Sequence, residues 1–93
     1  MENLNKINFD YYREIKGVEV QNYAQLYMGQ TILVSAHVRV NNKLLFTCDC
    51  YAHPSYFADL LNIDFFDCTP EVVKSNIRLI ENQIDWEFEF PNK

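Results

Sequence analysis

The spacing of hydrophobic residues predicts a helix at the start of the chain. Leu4, Ile7, Tyr11 and Ile15 recur at intervals of three, four and four residues, which is typical of the buried stripe of an amphipathic helix. Gly17 follows at a position where helices commonly end. We therefore expect a first helix that ends near residue 17.

Residues 18–28 carry an ambiguous pattern. Val18 and Val20 alternate with polar residues as in a strand, but Asn22 is a residue type that begins helices and Gly29 one that ends them. We interpret residues 22–29 as a short turn of helix, with a strand as the alternative.

Two stretches of strict alternation predict a β-hairpin. The apolar positions of residues 31–40 lie on one face, and residues 44–52 resume the alternation after Asn41, Asn42 and Lys43. A loop of three residues keeps the apolar faces in phase. The predicted pairs are Val40 with Leu44, Val38 with Phe46, and Ala36 with Cys48.

The rest of the chain predicts two helices and a strand. Residues 55–61 suit a short helix capped by Ser55, and the run Thr69-Pro70-Glu71 is a strong helix start. Residues 84–90 alternate three aromatic with three acidic residues, which is typical of a strand with one wet face. In the second helix the expected buried stripe is Val73, Ile77, Ile80 and Ile84, and the expected solvent-facing residues are Lys74, Arg78 and Glu81.

These elements predict an α+β fold within one compact domain, residues 1–93. The sheet is expected to be antiparallel and three-stranded, a hairpin plus a C-terminal strand, packed by helices on one face in the order α-(α)-β-β-α-α-β. Hydrophobic residues make up 48% of the chain and aromatic residues 15%, which suits a small domain that must bury large side chains.

The net charge of −5 is unevenly distributed. Residues 1–50 balance five acids with five bases, whereas residues 51–93 hold eight acids against three bases. Direct binding to nucleic acid or to an anionic membrane needs a cationic face, so both are disfavoured. No apolar run approaches the length of a membrane span and no signal peptide is visible, so we expect a soluble, cytoplasmic protein.

One set of residues has the chemistry of metal ligands: Cys48, Cys50, His53 and Cys68. Structural zinc sites usually draw two ligands from a tight knuckle of two cysteines separated by two to four residues. Cys48 and Cys50 are instead separated by one residue within a predicted strand. Buried, reduced core thiols are the favoured interpretation and zinc the alternative, and we expect no metal or cofactor.

Catalysis has little support in the sequence. Asp49, Cys50 and His53 are close along the chain, but consecutive strand residues point to opposite faces and do not assemble a catalytic set. His37 is expected on the wet face of its strand, beside Arg39. The chain lacks the glycine-rich phosphate-binding motifs. We therefore do not expect an enzyme.

Acidic residues interleaved with aromatic residues are the most informative feature of the C-terminal half. They fall on a loop, a helix start and a strand face, and are expected to converge on a surface that binds the basic surface of a protein partner. The alternative is that these charges keep a small domain soluble and protect an edge strand from pairing. The candidate binding residues are Asp64, Phe65, Asp67, Glu71, Asp85, Glu87 and Glu89.

Small size, acidity, aromatic content and absent catalytic motifs are shared, as general features, with nuclease immunity proteins and phage inhibitors of host defence, including anti-CRISPR proteins. The expected function is thus a stoichiometric inhibitor or immunity-type protein that occupies a basic surface of a nucleic-acid enzyme. The alternative is a non-catalytic homodimeric or structural subunit, whose sheet continues across an interface from an exposed edge at residues 31–40 or 84–90.

Overall fold

The structure is a computed structural model that describes residues 6–90. It has an α+β fold whose four-stranded antiparallel sheet has the strand order β1-β2-β3-β4. The strands are β1 (Val18–Leu26), β2 (Ile32–Val40), β3 (Lys43–Ala52) and β4 (Glu87–Glu89). The helices are α1 (Phe9–Arg13), α2 (Pro54–Leu61), α3 (Pro70–Ser75) and α4 (Ile77–Ile80), with a 3₁₀ turn at Phe65–Asp67.

The predicted sheet of three strands and the predicted element order are wrong, because β1 adds a strand at residues 18–26, where a helical turn was the favoured interpretation and a strand the alternative. Val18, Val20 and Ala24 face the core, but Asn22 occupies the inward position between them. This polar residue interrupts the alternation that would identify a strand. The Arg13 guanidinium donates a hydrogen bond to the side-chain oxygen of Asn22 at 2.9 Å, whereas the buried side-chain nitrogen of Asn22 has no hydrogen-bond partner among the described residues.

The hairpin of β2 and β3 has the predicted body and a different end. Val38 pairs with Phe46 and Ala36 with Cys48, as the alternation requires. The loop, however, has two residues, Asn41 and Asn42, both with positive φ (52° and 72°). A register shift beyond Val38 restores the phase, pairing Arg39 with Leu44 and Val40 with Lys43.

The predicted three-residue loop is therefore wrong, because a β-bulge supplies the extra residue. Leu45 has no partner in the register of the two strands. Leu44 was expected in the core and is instead exposed, as is Leu45. Two asparagines suit a tight hairpin turn, since Asn tolerates positive φ better than most residues.

All helices pack on one face of the sheet, which we call the inner face. Four inward residues of β2, from Ile32 to Val38, are completely buried, and so are large side chains of the helices that cover them, such as Phe57 and Val73. This core includes Ile32, Val34, Ala36, Val38, Phe46, Cys48, Phe57, Val73, Ile77, Ile80, Ile84 and Trp86. We call α1 to α4 and the 3₁₀ turn together the helical layer.

The predicted helix after Thr69 is broken into α3 and α4 at Asn76. Its start is confirmed: the Thr69 hydroxyl accepts a hydrogen bond from the Val72 amide at 3.2 Å, and Pro70 opens the helix. The predicted stripe of Val73, Ile77, Ile80 and Ile84 is buried as expected. In α2 the cap is His53 rather than Ser55, because the His53 ring accepts a hydrogen bond from the Ser55 amide.

The first helix is shorter than predicted and buries a different side. Phe9 is fully buried with its ring edge-on to Trp86, at a centroid distance of 5.6 Å. Tyr11 and Ile15, from the predicted stripe, are exposed, and Leu4 lies outside the described residues. The position of so short a helix is determined by the packing of Phe9 against Trp86. The spacing of its hydrophobic residues therefore says little about which side is buried.

The C-terminal strand is also shorter than the predicted residues 84–90. Ile84 and Trp86 enter the core before the strand begins, and only Glu87–Glu89 pair with β3. The Trp86 indole N–H donates to the Glu81 carbonyl at 2.9 Å, which fixes the chain ahead of the strand. Phe90 follows the strand and is exposed.

Candidate protein-binding surface

The opposite side of the sheet, which we call the outer face, carries no described helix. The strict alternation of the strands places polar and aromatic side chains here, and most of them are partly or fully exposed. The outer face consists of Glu19, Gln21, Tyr23 and Gln25 of β1, Leu33, Ser35, His37 and Arg39 of β2, Thr47, Asp49 and Tyr51 of β3, and Glu87 and Glu89 of β4.

Three carboxylates form a strip along β3 and β4, and we call Asp49, Glu87 and Glu89 the acidic strip. Asp49 is the direct cross-strand partner of Glu87, and Glu89 lies opposite Thr47. Directly opposed side chains have Cβ atoms about 4.5–5.5 Å apart, and like charges there are destabilising. Within residues 6–90, no lysine or arginine forms an ion pair with any of the three.

Tyr51 lies on β3 next to the acidic strip. Loss of hydration, and then the negative charge of Asp49, raise the pKa of its phenol above the usual value of 10.0, and Glu87 and Glu89 act in the same direction. Its ring contacts Tyr27 at a centroid distance of 5.0 Å, and both rings are exposed. The outer face thus combines negative charge with accessible aromatic surface.

A hollow lies beside the strip, where a small residue is surrounded by larger ones. Ser35 stands in the middle of β2 and is opposed by Tyr23 on one side and Asp49 on the other. Leu33 and His37 flank Ser35 along its own strand. The residues that line the hollow are Tyr23, Gln25, Leu33, Ser35 and His37. The Ser35 hydroxyl donates a hydrogen bond of 2.6 Å to the Asp49 carboxylate.

Several large apolar side chains are exposed in the turn between β1 and β2 and in the 3₁₀ turn. Leu26 and Met28, where β1 turns into β2, are 64% and 79% exposed, and Phe66 in the 3₁₀ turn is 81% exposed. Met28 has a φ of 47°, which is unusual for a residue with a long side chain. Phe65 stacks on Phe66 at 4.3 Å.

The structure divides the candidate binding residues between two sides of the molecule. Glu87 and Glu89 are on the outer face, whereas Asp64, Phe65, Asp67 and Glu71 belong to the helical layer on the inner side. Asp85 precedes β4 and forms an ion pair with Lys6 at 3.0 Å. The structure therefore does not bring the seven together as one face.

Acids of the helical layer have local structural roles. The Asp64 carboxylate accepts a hydrogen bond from the Phe66 amide at 2.9 Å and so caps the 3₁₀ turn. Glu71 lies in the first turn of α3, where a negative charge interacts favourably with the helix dipole. These contacts within the fold explain why Asp64 and Glu71 are acidic, and no binding partner is needed to explain them.

Asp49, Tyr23 and Ser35 lie on the outer face and are not among the candidate binding residues predicted from the sequence. Asp49 sits in the N-terminal half, where acids and bases cancel, and Tyr23 in the segment interpreted as helix. The alternation of residues 44–52 already places Asp49 opposite to the core-facing cysteines. Recognising β1 as a strand would have added Tyr23.

One acid is buried instead of facing water as predicted. Glu81 has no exposed surface, and its carboxylate is bound by the Arg13 guanidinium, with the Arg78 guanidinium 3.6 Å away. Burial raises the pKa of Glu81 above its usual 4.5, while the hydrogen bond and charge of Arg13 oppose this effect. Arg13 thereby links α1, β1 and the segment after α4.

The cysteines lie in the core as free thiols. Burial raises the pKa of Cys48 to about 12 and that of Cys50 to about 11, so both are protonated and unreactive at neutral pH. Cys68 is buried as well, whereas His53 is exposed and caps α2. Over residues 6–90, no group of His, Cys, Asp and Glu is arranged to hold a metal ion.

None of the helices in residues 6–90 is long and apolar enough to cross a membrane.

Comparisons with protein-family models, with curated proteins and with solved structures find no match to this chain.

Proposed function

We propose that this protein is a small acidic protein-binding module, an inhibitor or immunity-type protein that acts stoichiometrically, and that its outer face occupies a basic surface of a nucleic-acid enzyme. The observation that carries the proposal is the direct opposition of Asp49 and Glu87 on an uncovered sheet face, without a described cation to neutralise them. A basic partner would relieve this repulsion.

The surroundings of the acidic strip support a protein partner. Tyr23 and Tyr51 are exposed on the same face, 44% and 48% respectively, and tyrosines supply large contact area at protein interfaces with little loss of side-chain entropy. Acidic residues beside them speed encounter with a basic surface and disfavour neutral or acidic partners. Nucleic acid would be repelled by the same strip.

In this proposal the protein has no catalytic activity. The partner's groove is basic because it binds nucleic acid, and the outer face competes for that groove. Nuclease immunity and phage inhibition of host defence, including CRISPR nucleases, are the settings in which such a cytoplasmic module would act. Of the seven binding residues predicted from the sequence, only Glu87 and Glu89 belong to the proposed binding surface, together with Asp49.

The test is affinity capture with three forms of the protein: wild type, the Glu87→Lys/Glu89→Lys variant, and a matched Asp67→Lys/Glu71→Lys variant that reverses two charges in the helical layer. A partner of the outer face is retained by wild type and by the matched variant. The outer-face reversal should weaken its binding by about tenfold or more, because attraction becomes repulsion.

The captured protein must then meet two further conditions. Its nucleic-acid substrate should compete with this protein for binding, and one equivalent of this protein should inhibit its activity. A captured protein that binds the outer-face reversal as tightly as wild type, or that still binds its nucleic acid within the complex, contradicts the proposal.

A second candidate function is a homodimeric or structural subunit. It is favoured by the exposed apolar side chains of Leu26, Met28 and Phe66, and by the nine-residue strand β1 at the edge of the sheet. Of the two edges proposed from the sequence, β2 is interior and β4 is an edge. Sedimentation at increasing concentration tests this: a dimer that Met28→Ser/Phe66→Ser disrupts supports it, and a monomer at all concentrations contradicts it.

A further inference from the structure

We infer that the hollow around Ser35 receives an arginine side chain of the protein partner. This inference rests on the proposed function and names the chemistry of one contact on the same face. The hollow exists because serine is the smallest side chain in a ring of larger ones. Its lining comes from outward residues of the adjacent strands β1 and β2, so the hollow needs no flexible loop.

The walls of the hollow match the two parts of an arginine side chain. Leu33 gives an apolar contact for the methylene groups, and the exposed ring of Tyr23 gives an aromatic surface on which a planar guanidinium can stack. Gln25 also lines the hollow and can accept a hydrogen bond through its side-chain oxygen.

The charge next to the hollow selects a cation. Asp49 is the neighbour of Ser35 on the side away from Tyr23, and its carboxylate accepts a hydrogen bond of 2.6 Å from the Ser35 hydroxyl in the lining. The next residue in this row is Glu87, so the carboxylate nearest the hollow is followed by a second one on the adjacent strand. A fixed carboxylate is a partner for guanidinium N–H donors, whose fork geometry matches its two oxygens.

His37 also lines the hollow. Its ring contacts Tyr23 at a centroid distance of 4.8 Å, which holds the two rings side by side. The other charged residues of the outer face, Glu19 and Arg39, oppose each other two residues further along β1 and β2. The acidic strip therefore dominates the charge near the hollow.

The experiment is an NMR titration of the full ¹⁵N-labelled chain with N-acetyl-arginine amide. The control ligand is the citrulline analogue, which has nearly the same shape and no charge. We expect saturable shifts at Tyr23, Ser35, His37 and Asp49 with arginine, and binding weaker by about fivefold or more with citrulline, as loss of a charge-assisted contact implies.

Two variants separate the hollow from general negative charge. Ser35→Leu fills the hollow and keeps every charge, whereas Asp49→Asn keeps the shape and removes one charge; Glu71→Gln is the matched control in the helical layer. Both outer-face variants should weaken arginine binding by about fivefold or more, and the control should not. Dispersed spectra confirm that each variant is folded.

Arginine shifts that equal those of citrulline, or that survive Ser35→Leu, overturn the assignment of the hollow. The outcome is distinct from failure of the proposed function. A captured partner that depends on Glu87 and Glu89 but binds Ser35→Leu as tightly as wild type retains the acidic outer face and removes the arginine contact. A partner that ignores all these changes removes both.

Discussion

Two groups of carboxylates in this protein stand in opposite environments. Glu81 is completely buried and shares one of its oxygens between Arg13 and Arg78. Asp49 and Glu87 oppose each other on the uncovered outer face, where no described residue forms an ion pair with them. Glu81 joins elements of the fold, whereas Asp49 and Glu87 place like charges side by side.

This difference shows which acids need an explanation outside the fold. A buried carboxylate with its own arginine is accounted for by the architecture, although its desolvation makes it a weak source of net stability. Opposed surface carboxylates cost a little stability, and the proposed basic partner would compensate for this cost. The count of acids in the sequence does not separate the two groups.

The largest expected effect comes from breaking the buried pair. Arg13→Met should lower the free energy of unfolding by about 3–5 kcal/mol, because it leaves the Glu81 charge buried without its main partner. The double variant Arg13→Met/Glu81→Gln should recover part of this loss. Urea denaturation measures both.

The matched control is Lys6→Met, which removes the same kind of charge from the pair of Lys6 with Asp85. The two side chains of that pair are 41% and 51% exposed. Its loss should cost no more than about 1 kcal/mol. Equal losses for Arg13→Met and Lys6→Met would contradict the distinction between the buried and the exposed carboxylates.

The pH dependence of stability should report Glu81 directly. Its pKa is raised in the folded state, so the folded protein binds the proton more tightly than the unfolded chain does. The stability that protonation contributes is fully present below the usual pKa of 4.5 and is lost as the pH rises through the folded value.

Glu81→Gln removes this titration. Relative to the variant, the wild type should become less stable as the pH rises from about 4 to about 7. Denaturation curves at several pH values measure the difference. A difference that stays constant, or that favours the wild type at higher pH, would show that Arg13 outweighs burial.

A smaller effect is expected in the helical layer. Glu71→Gln should lower the free energy of unfolding by about 0.3–1 kcal/mol, because the carboxylate interacts favourably with the N-terminus of α3. The loss should shrink at high salt. A gain in stability would mean that Glu71 is not held by the helix dipole, and it would return to the candidates for binding.

Strands with regular alternation and the start of α3 could be predicted from the sequence. Contacts between residues far apart in the chain could not. The core face of β2 and the start of α3 follow from side-chain period and from Thr69 and Pro70. The strand β1 was obscured by Asn22, whose inward position depends on Arg13 in a different element. An inward polar residue whose hydrogen-bond donor lies in a different element cannot be recognised from the local sequence pattern.

The candidate surface was predictable to the same extent. Glu87 and Glu89 were identified because the strand β4 alternates clearly. Asp49 was not, because its significance depends on the pairing of β3 with β4. Glu81 was assigned to solvent because helical period alone cannot show that an arginine from α1 reaches it.

The acidic strip is expected to be unfavourable in the isolated protein, and a double-mutant cycle on Asp49→Asn and Glu87→Gln measures this. Urea denaturation at low salt should give an unfavourable coupling of about 0.2–1 kcal/mol between the two carboxylates, with Glu87→Gln more stable than wild type. High salt should reduce it. A coupling of zero, or a favourable one, would show that the opposed charges are stabilised within the fold, and the main reason for a basic partner would be lost.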